Sequence, residues 1–152
     1  MICTELWNGQ GLGNMLHSYI ATRVRALDLG VDFGIAHPER FKGSSFLDLN
    51  FGKEVIGGET LQEGGIPTTL PIGITNYYRE KEVRDDKGVD TRGLDPEYFF
   101  IEDKTWLEGL FQDERYFSHR LNEVDEWLKV EPIDIPDDVC VIGFRGGEFA
   151  LY

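Results

Sequence analysis

The longest regular pattern in the chain is a run of hydrophobic residues at helical spacing between residues 12 and 29. Apolar positions three and four residues apart fall on one face of a helix, and that face packs against a core. Gly30 follows at the place where helices commonly end, because glycine adopts the left-handed conformation there without strain. The pattern therefore predicts a helix over residues 12–29. Its apolar face consists of Leu12, Leu16, Ile20, Val24 and Leu27.

Two short apolar runs flank this helix. Residues 2–7 precede it and residues 31–36 follow it, and a tight connection joins each run to the helix. A strand, a helix and a second strand in this order form a βαβ unit, in which the strands are parallel and the crossover is right-handed. We therefore expect an α/β fold with a Rossmann-like parallel sheet.

The middle of the chain, residues 37–105, is less regular. Glycine pairs and prolines interrupt it, which predicts loops and short elements, with residues 72–78 as a candidate strand. Residues 79–87 mix charges of both signs before Gly88 and indicate a solvated turn.

A second amphipathic pattern begins at residue 117 and predicts another helix. Ser118 is placed to cap its first turn, and Pro132 marks where it stops. A continuous apolar run over residues 139–144 then suits a strand that is covered on both faces. The apolar residues of the predicted helix are Phe117, Leu121, Val124 and Leu128.

Composition and charge narrow the classes of function. The chain has 152 residues, enough for one domain that buries about two-thirds of its unfolded surface. It carries 28 Asp and Glu against 15 Lys and Arg, a formal charge of -13. Such a surface repels phosphate backbones and anionic lipids. We therefore expect no nucleic acid and no membrane surface among its partners.

Further features favour a cytoplasmic protein without a metal site. No stretch approaches the ~20 apolar residues that cross a bilayer, and the N-terminus lacks the pattern of a secretion signal. Cys3 and Cys140 each lie in an apolar run, as buried thiols of a reducing compartment do. His17, His37 and His119 have no companions at metal-ligand spacing, so no metal site is assigned.

The turn between the first strand and the first helix is the main candidate for ligand binding. Residues 8–14 read Asn-Gly-Gln-Gly-Leu-Gly-Asn, and glycines let a ligand approach the backbone closely. The helix behind them directs its unpaired N–H groups and positive dipole end into the turn, which favours a phosphate. Asn14 can donate its amide to a sugar hydroxyl or phosphate, or it can cap the helix.

A dinucleotide site requires more than this turn. It calls for a third glycine one step later and an acidic residue at the end of the second strand. Here Asp32 precedes that strand, and His37, Pro38 and Glu39 follow it.

Two later segments carry further candidate chemistry. Arg145, in an Arg-Gly-Gly-Glu sequence after a predicted strand, can place its guanidinium on a pyrophosphate. Glu148 can orient Arg145 or accept a proton from an attacking hydroxyl; the alternative is a surface ion pair. Residues 107–117 interleave aromatic residues with polar ones able to bind sugar hydroxyls, although composition alone favours core packing with a solvated face.

Three segments in this order resemble bacterial α-1,2-fucosyltransferases of glycosyltransferase family 11. Residues 8–15 resemble the Gly-Gly-Leu-Gly-Asn-Gln opening of that family. Residues 109–117 resemble its Gly-Tyr-Phe-Gln-Ser-Glu-Lys-Tyr-Phe segment, and residues 142–149 resemble its Val-His-Ile-Arg-Arg-Gly-Asp-Tyr motif.

The resemblance implies a GT-B-like fold of two Rossmann-type halves. Residues 1–138 would be the N-terminal, acceptor-side domain, and residues 139–152 the first strand and loop of an incomplete donor-binding domain. The family transfers fucose from GDP-fucose to a glycan hydroxyl with inversion and without a metal. By this resemblance the donor contacts are Gly11, Leu12, Gly13, Asn14 and Arg145, the catalytic residues are Arg145 and Glu148, and the acceptor contacts are Gln112 and Glu114.

The chain also departs from the family at single positions, and these departures leave alternatives open. Gly143 and Gly146 stand where the family has histidine and a second arginine, and Gln10 and Met15 where it has glycine and glutamine. The donor can therefore be another GDP-sugar or another nucleotide sugar. The alternatives to half of a transferase are a stand-alone Rossmann-like nucleotide-binding domain and a non-catalytic glycan-binding domain.

Overall fold

A computed structural model describes residues 1–58, 67–81, 93–132, 134, 136 and 138. Within these residues the chain forms four strands, two α-helices and short 3-10 helices. The strands are β1 (Ile2–Glu5), β2 (Phe33–Ala36), β3 (Asn76–Arg79) and β4 (Thr105–Glu108), and the helices are α1 (Leu12–Leu29) and α2 (Leu121–Trp127). The 3-10 helices are Pro38–Arg40, Pro96–Phe100, Glu114–Tyr116 and Ser118–Arg120.

The four strands form one parallel sheet in the order β2-β1-β4-β3. β1 lies in the interior of the sheet, where Ile2 pairs with Phe33 of β2 and with Thr105 of β4. All four of its residues are buried, as expected for a strand covered on both faces. The predicted α/β fold with a Rossmann-like parallel sheet is confirmed.

Helix α1 has the limits that its hydrophobic pattern predicts. It ends at Gly30, whose φ of 66° lies in the left-handed region. There the N–H of Gly30 bonds to the Leu27 carbonyl at 3.1 Å, and the N–H of Val31 bonds to that of Ala26 at 3.0 Å. These bonds satisfy carbonyls that the last helical turn leaves open. The chain then enters β2 directly, which completes the predicted βαβ unit.

Side chains of β1 alternate between two hydrophobic layers. Leu6, just past the strand, packs with residues of α1 and α2 on one face of the sheet. Cys3 packs with Trp106 and Ile74 on the other face. Burial there raises the pKa of the Cys3 thiol to about 12, although the nearby N-terminal ammonium opposes that shift. The predicted burial of Cys3 is confirmed.

Two predicted elements differ from the structure in their limits, and one strand was not predicted. The strand expected at residues 72–78 begins only at Asn76, because Ile72 and Gly73 form a turn in which Gly73 has a φ of 84°. The predicted cap Ser118 lies instead within a 3-10 helix, and α2 follows as a helix of 7 residues. Strand β4 is short and ends in a glutamate, so no hydrophobic period revealed it.

Residues 139–152 lie outside the described residues. The predicted strand at 139–144, the second cysteine and the expected start of a second domain therefore remain predictions. In the part of the chain that the structure describes, no helix has the length and apolar character needed to cross a membrane.

Candidate functional site

The candidate site lies at the carboxyl edge of the sheet. From the end of β1 the chain crosses to β2 on one side of that strand, while β4 and β3 lie on its other side. In open parallel sheets, ligands bind in the crevice outside the carboxyl ends of strands at such a change of direction. Two loops border this crevice, residues 6–11 after β1 and residues 109–113 after β4.

The loop after β1 leads into the first turn of α1, and that turn holds no acidic side chain. Trp7 and Gln10 close it, since the N–H of Gln10 donates to the Trp7 carbonyl at 3.1 Å and the Gln10 side chain accepts from the Trp7 N–H at 3.1 Å. Gly11 occupies the cap position, no side chain caps the helix, and no acidic residue lies in the first turn. The Lys42 ammonium contacts the Gln10 carbonyl. This arrangement favours an anionic ligand.

Open space lies in front of the glycines of this turn. A Cβ placed on Gly11 or Gly13 would meet no atom within 4 Å. Gly11 has a φ of -69°, and Gly13 lies in regular helix, so neither position requires a left-handed backbone. Within the described residues, neither packing nor conformation explains these two glycines. The open space leaves the backbone of both positions accessible to a ligand.

The structure brings together two candidate residues from different segments. The Gln112 side-chain amide donates to Oδ1 of Asn14 at 2.7 Å. The Ser18 hydroxyl, one turn along α1, lies 3.0 Å from the Gly109 carbonyl and is placed to donate to it. The loops after β1 and β4 are therefore joined. Because Gly11 is the cap residue, the alternative in which Asn14 caps the helix is wrong.

Glu114, the other predicted acceptor contact, is exposed at the start of a 3-10 helix. Asp113 caps that helix by accepting from the Arg115 N–H at 2.9 Å. The Arg115 guanidinium also bonds to this carboxyl and lowers the pKa of Asp113 to about 2. Asp113 therefore stays ionised, and its role in the structure is to hold this turn.

The loop that carries Gln112 is held by a glutamate that sequence analysis missed. Glu80, directly after β3, accepts from the backbone N–H groups of Leu110 and Phe111 at 2.8 and 2.9 Å. Its other oxygen accepts from the Tyr116 hydroxyl at 2.9 Å. Phe111 has a φ of 47°, an unfavourable conformation for an aromatic residue. The charge-assisted bonds to Glu80 compensate for that conformation.

A second acidic residue, Asp95, helps to hold the segment that follows β4. Asp95 accepts from the Tyr78 hydroxyl at 2.7 Å and from the Glu97 N–H at 3.0 Å, while its own N–H donates to the Tyr116 hydroxyl at 2.7 Å. Burial acts to raise the pKa of Asp95, but these bonds outweigh it and the pKa lies below its usual value. The segment after β4 is thus held by the side chain of Glu80 and by the backbone N–H of Asp95.

Two further carboxylates lie at the ends of the central strands, on the face opposite α1. Glu5 and Glu108 directly follow the paired residues of β1 and β4, and both are buried. Arg40 bonds to Glu5 at 2.8 Å, and the Tyr77 hydroxyl donates to Glu108. Burial and the Glu108 carboxylate raise the pKa of Tyr77. The sequence does contain a signal that could have identified Glu5, because this residue is a charged side chain inside the apolar run of residues 2–7.

Other predicted site residues lie beyond what the structure describes. Arg145 and Glu148 are in the last 14 residues, so their approach to the turn at Gly11, Leu12 and Gly13 stays a prediction. Among the described residues, no group of three His, Cys, Asp or Glu side chains could hold a metal ion.

Comparisons of the chain with protein-family models, with curated proteins and with solved structures found no match.

Proposed function

We propose that this chain is the acceptor-side half of a cytoplasmic, GT-B-like glycosyltransferase. It would transfer a sugar, with fucose as the first candidate, from a GDP-sugar to a glycan hydroxyl. The observation that carries the proposal is the bond between Gln112 and Asn14. It joins two of the three segments that resemble the fucosyltransferases, at the edge of the sheet where a donor would bind.

The proposed chemistry is displacement at the anomeric carbon of the donor. The acceptor hydroxyl forms the new glycosidic bond as the bond to GDP breaks, and the configuration inverts. The hydroxyl proton passes to Glu148, and the GDP leaving group takes the electron pair of the broken bond. Arg145 and the N–H groups at the start of α1 stabilise the charge that develops on the leaving phosphate. By the resemblance, no metal takes part.

Calorimetric titration with GDP and with NAD tests the nucleotide assignment. We expect GDP to bind weakly, through the glycine turn that this half contributes, and NAD to bind much more weakly still. Asn14→Ala should weaken GDP binding, whereas Asn76→Ala, an exposed asparagine at the start of β3, should not. A preference for NAD would contradict the proposal and support a stand-alone Rossmann-like nucleotide-binding domain.

An assay with GDP-fucose tests the claim that the chain is half of an enzyme. These 152 residues should transfer no fucose to an oligosaccharide by themselves, because most of the nucleotide pocket would belong to the other half. Transfer by this chain alone would contradict that claim, even if GDP binds as expected.

A further inference from the structure

A second concave site lies on the sheet face opposite α1, at the carboxyl end of β2. It is a cleft of about 530 Å³, within the range of roughly 300–1,000 Å³ that small-molecule sites occupy. Among the residues that line it are His37, Glu39, Lys53, Gly57 and Trp106. None of these was assigned to a binding site above.

One wall of this cleft is fixed by backbone pairing. The segment 51–53 covers the outer edge of β2, where the N–H of Ile35 donates to the Phe51 carbonyl at 3.0 Å and that of Lys53 donates to the Phe33 carbonyl at 2.8 Å. Gly52 forms the bridge between them with a φ of 76°. A Cβ there would clash with the Phe33 backbone. The wall is therefore built into the fold.

Hydrogen-bonding groups concentrate at one end of the cleft. Nδ1 of His37 lies 3.0 Å from the Glu39 carboxylate, and Nε2 lies 3.6 Å from that of Glu5. His37 adopts a left-handed backbone with a φ of 57°. Such strained conformations occur preferentially at functional sites, where the surrounding structure maintains them.

Other residues that line the cleft give it both apolar and charged surface. Trp106, which is 2% exposed, and Val55 supply apolar atoms, and Lys53 supplies an ammonium group. A sugar ring presents apolar C–H groups and a rim of hydroxyls, so it matches an apolar floor with polar groups at the edge. The carboxylates of Glu39 and Glu54, which both line the cleft, disfavour an anionic ligand such as a phosphate.

The cleft is also connected to the glycine turn. Arg40, three residues after His37, donates to the Leu6 carbonyl at 3.0 Å as well as to Glu5. Lys42 reaches the Gln10 carbonyl. The segment 37–42 therefore has the cleft at its beginning and the proposed donor turn near its end.

We propose that this cleft binds a neutral saccharide and is the acceptor subsite of the transferase. Its role as an acceptor subsite rests on the proposed function, whereas saccharide binding itself does not. The assignment adds His37, Glu39 and Lys53 to the acceptor contacts, beside Gln112 and Glu114.

NMR titration of the isotope-labelled chain tests this proposal. The backbone and indole N–H signals are recorded during titration with galactose and lactose, and separately with GDP and NAD. The saccharides should shift the signals of Gly57, Gly58 and the Trp106 indole. GDP should instead shift those of the turn at Gly11 and Asn14.

Two matched histidine variants complete the test. His37→Asn should weaken lactose binding at least tenfold, because it removes the imidazole while asparagine tolerates the left-handed backbone. His119→Asn is the control, since His119 also faces a carboxylate, Asp28 at 2.8 Å, and both histidine side chains are 42% exposed. Lactose binding should not change in the control.

Three outcomes would overturn the proposal. They are no saccharide-induced shift, saccharide shifts confined to Gln112 and Glu114, and NAD shifts at the cleft, which would indicate a nucleotide site. Saccharide shifts at the cleft without any GDP binding would uphold the saccharide site while contradicting the proposed transferase.

Discussion

The side-chain amide of Gln112 donates to Oδ1 of Asn14 across 98 positions of sequence. Both side chains follow the carboxyl ends of neighbouring strands, β4 and β1, so the bond closes one side of the crevice. Because Asn14 uses its oxygen in this bond, its N–H groups are oriented for donation to other partners.

A double-mutant cycle with Asn14→Ala and Gln112→Ala tests this relationship. Each single change should cost at most about 1 kcal/mol of unfolding free energy, as expected for a neutral bond at a partly exposed site. Asn14→Ala should weaken GDP binding about tenfold, equivalent to ~1.4 kcal/mol. Urea unfolding and calorimetry measure the two effects. Strictly additive losses of stability would show that the two side chains do not interact.

Gly13→Ala should separate stability from binding. Open space surrounds this position, so alanine should stabilise the helix by roughly 0.5–1 kcal/mol. The added methyl group should at the same time weaken GDP binding. Gly109→Ala is the contrasting variant, since its Cβ would lie 2.6 Å from Cβ of Glu80, and it should be destabilised. If Gly13→Ala left GDP binding unchanged, the glycine would not serve a ligand.

Glu80→Gln should loosen the loop after β4. It replaces charge-assisted bonds to Leu110, Phe111 and Tyr116 by weaker ones, and we expect a loss of about 2 kcal/mol in unfolding free energy. Amide hydrogen exchange at Leu110 and Phe111 should accelerate. Glu97→Gln, at an exposed ion pair with Lys81, serves as the control and should change stability little. Unchanged exchange at both amides would refute the role of Glu80.

Alkaline pH should destabilise the fold before three of its tyrosines, two buried and one partly buried, ionise. Burial raises the pKa of Tyr78, Tyr98 and Tyr116 in the folded chain, whereas in the unfolded chain they ionise near pH ~10. Above that pH the unfolded state loses protons that the folded state keeps, so unfolding free energy must fall as pH rises. Phenolate absorbance and circular dichroism should therefore change together. Ionisation of these three phenols near pH ~10 in the folded chain would contradict this.

Local signals in the sequence were sufficient for α1 and its connection to β2. A complete hydrophobic face and Gly30 specify that helix without reference to the rest of the chain. The same approach missed β4, whose four residues end in Glu108, and it placed the start of the second helix too early, because a 3-10 helix precedes α2. β4 is specified by its pairing with β1 and β3, and α2 by the packing of Val124 in the core. A hydrophobic period along the sequence reports neither contact.

The candidate site was predictable only in part, for the same reason. The glycine turn is contiguous in sequence and was found, but the support of Leu110 comes from Glu80, 30 residues away. Glu5, the last residue of β1, and His37, which directly follows β2, likewise meet only because β1 and β2 pair in register. Nothing near any of these residues in sequence identifies its partner.

Gly52 also has a consequence for solubility. Its backbone bridge keeps segment 51–53 on the outer edge of β2, and an uncovered strand edge is a template for pairing with another molecule. A side chain at this position would push the segment away and leave that edge open to intermolecular aggregation. One glycine thus protects this edge of the sheet from joining the sheet of a neighbouring copy.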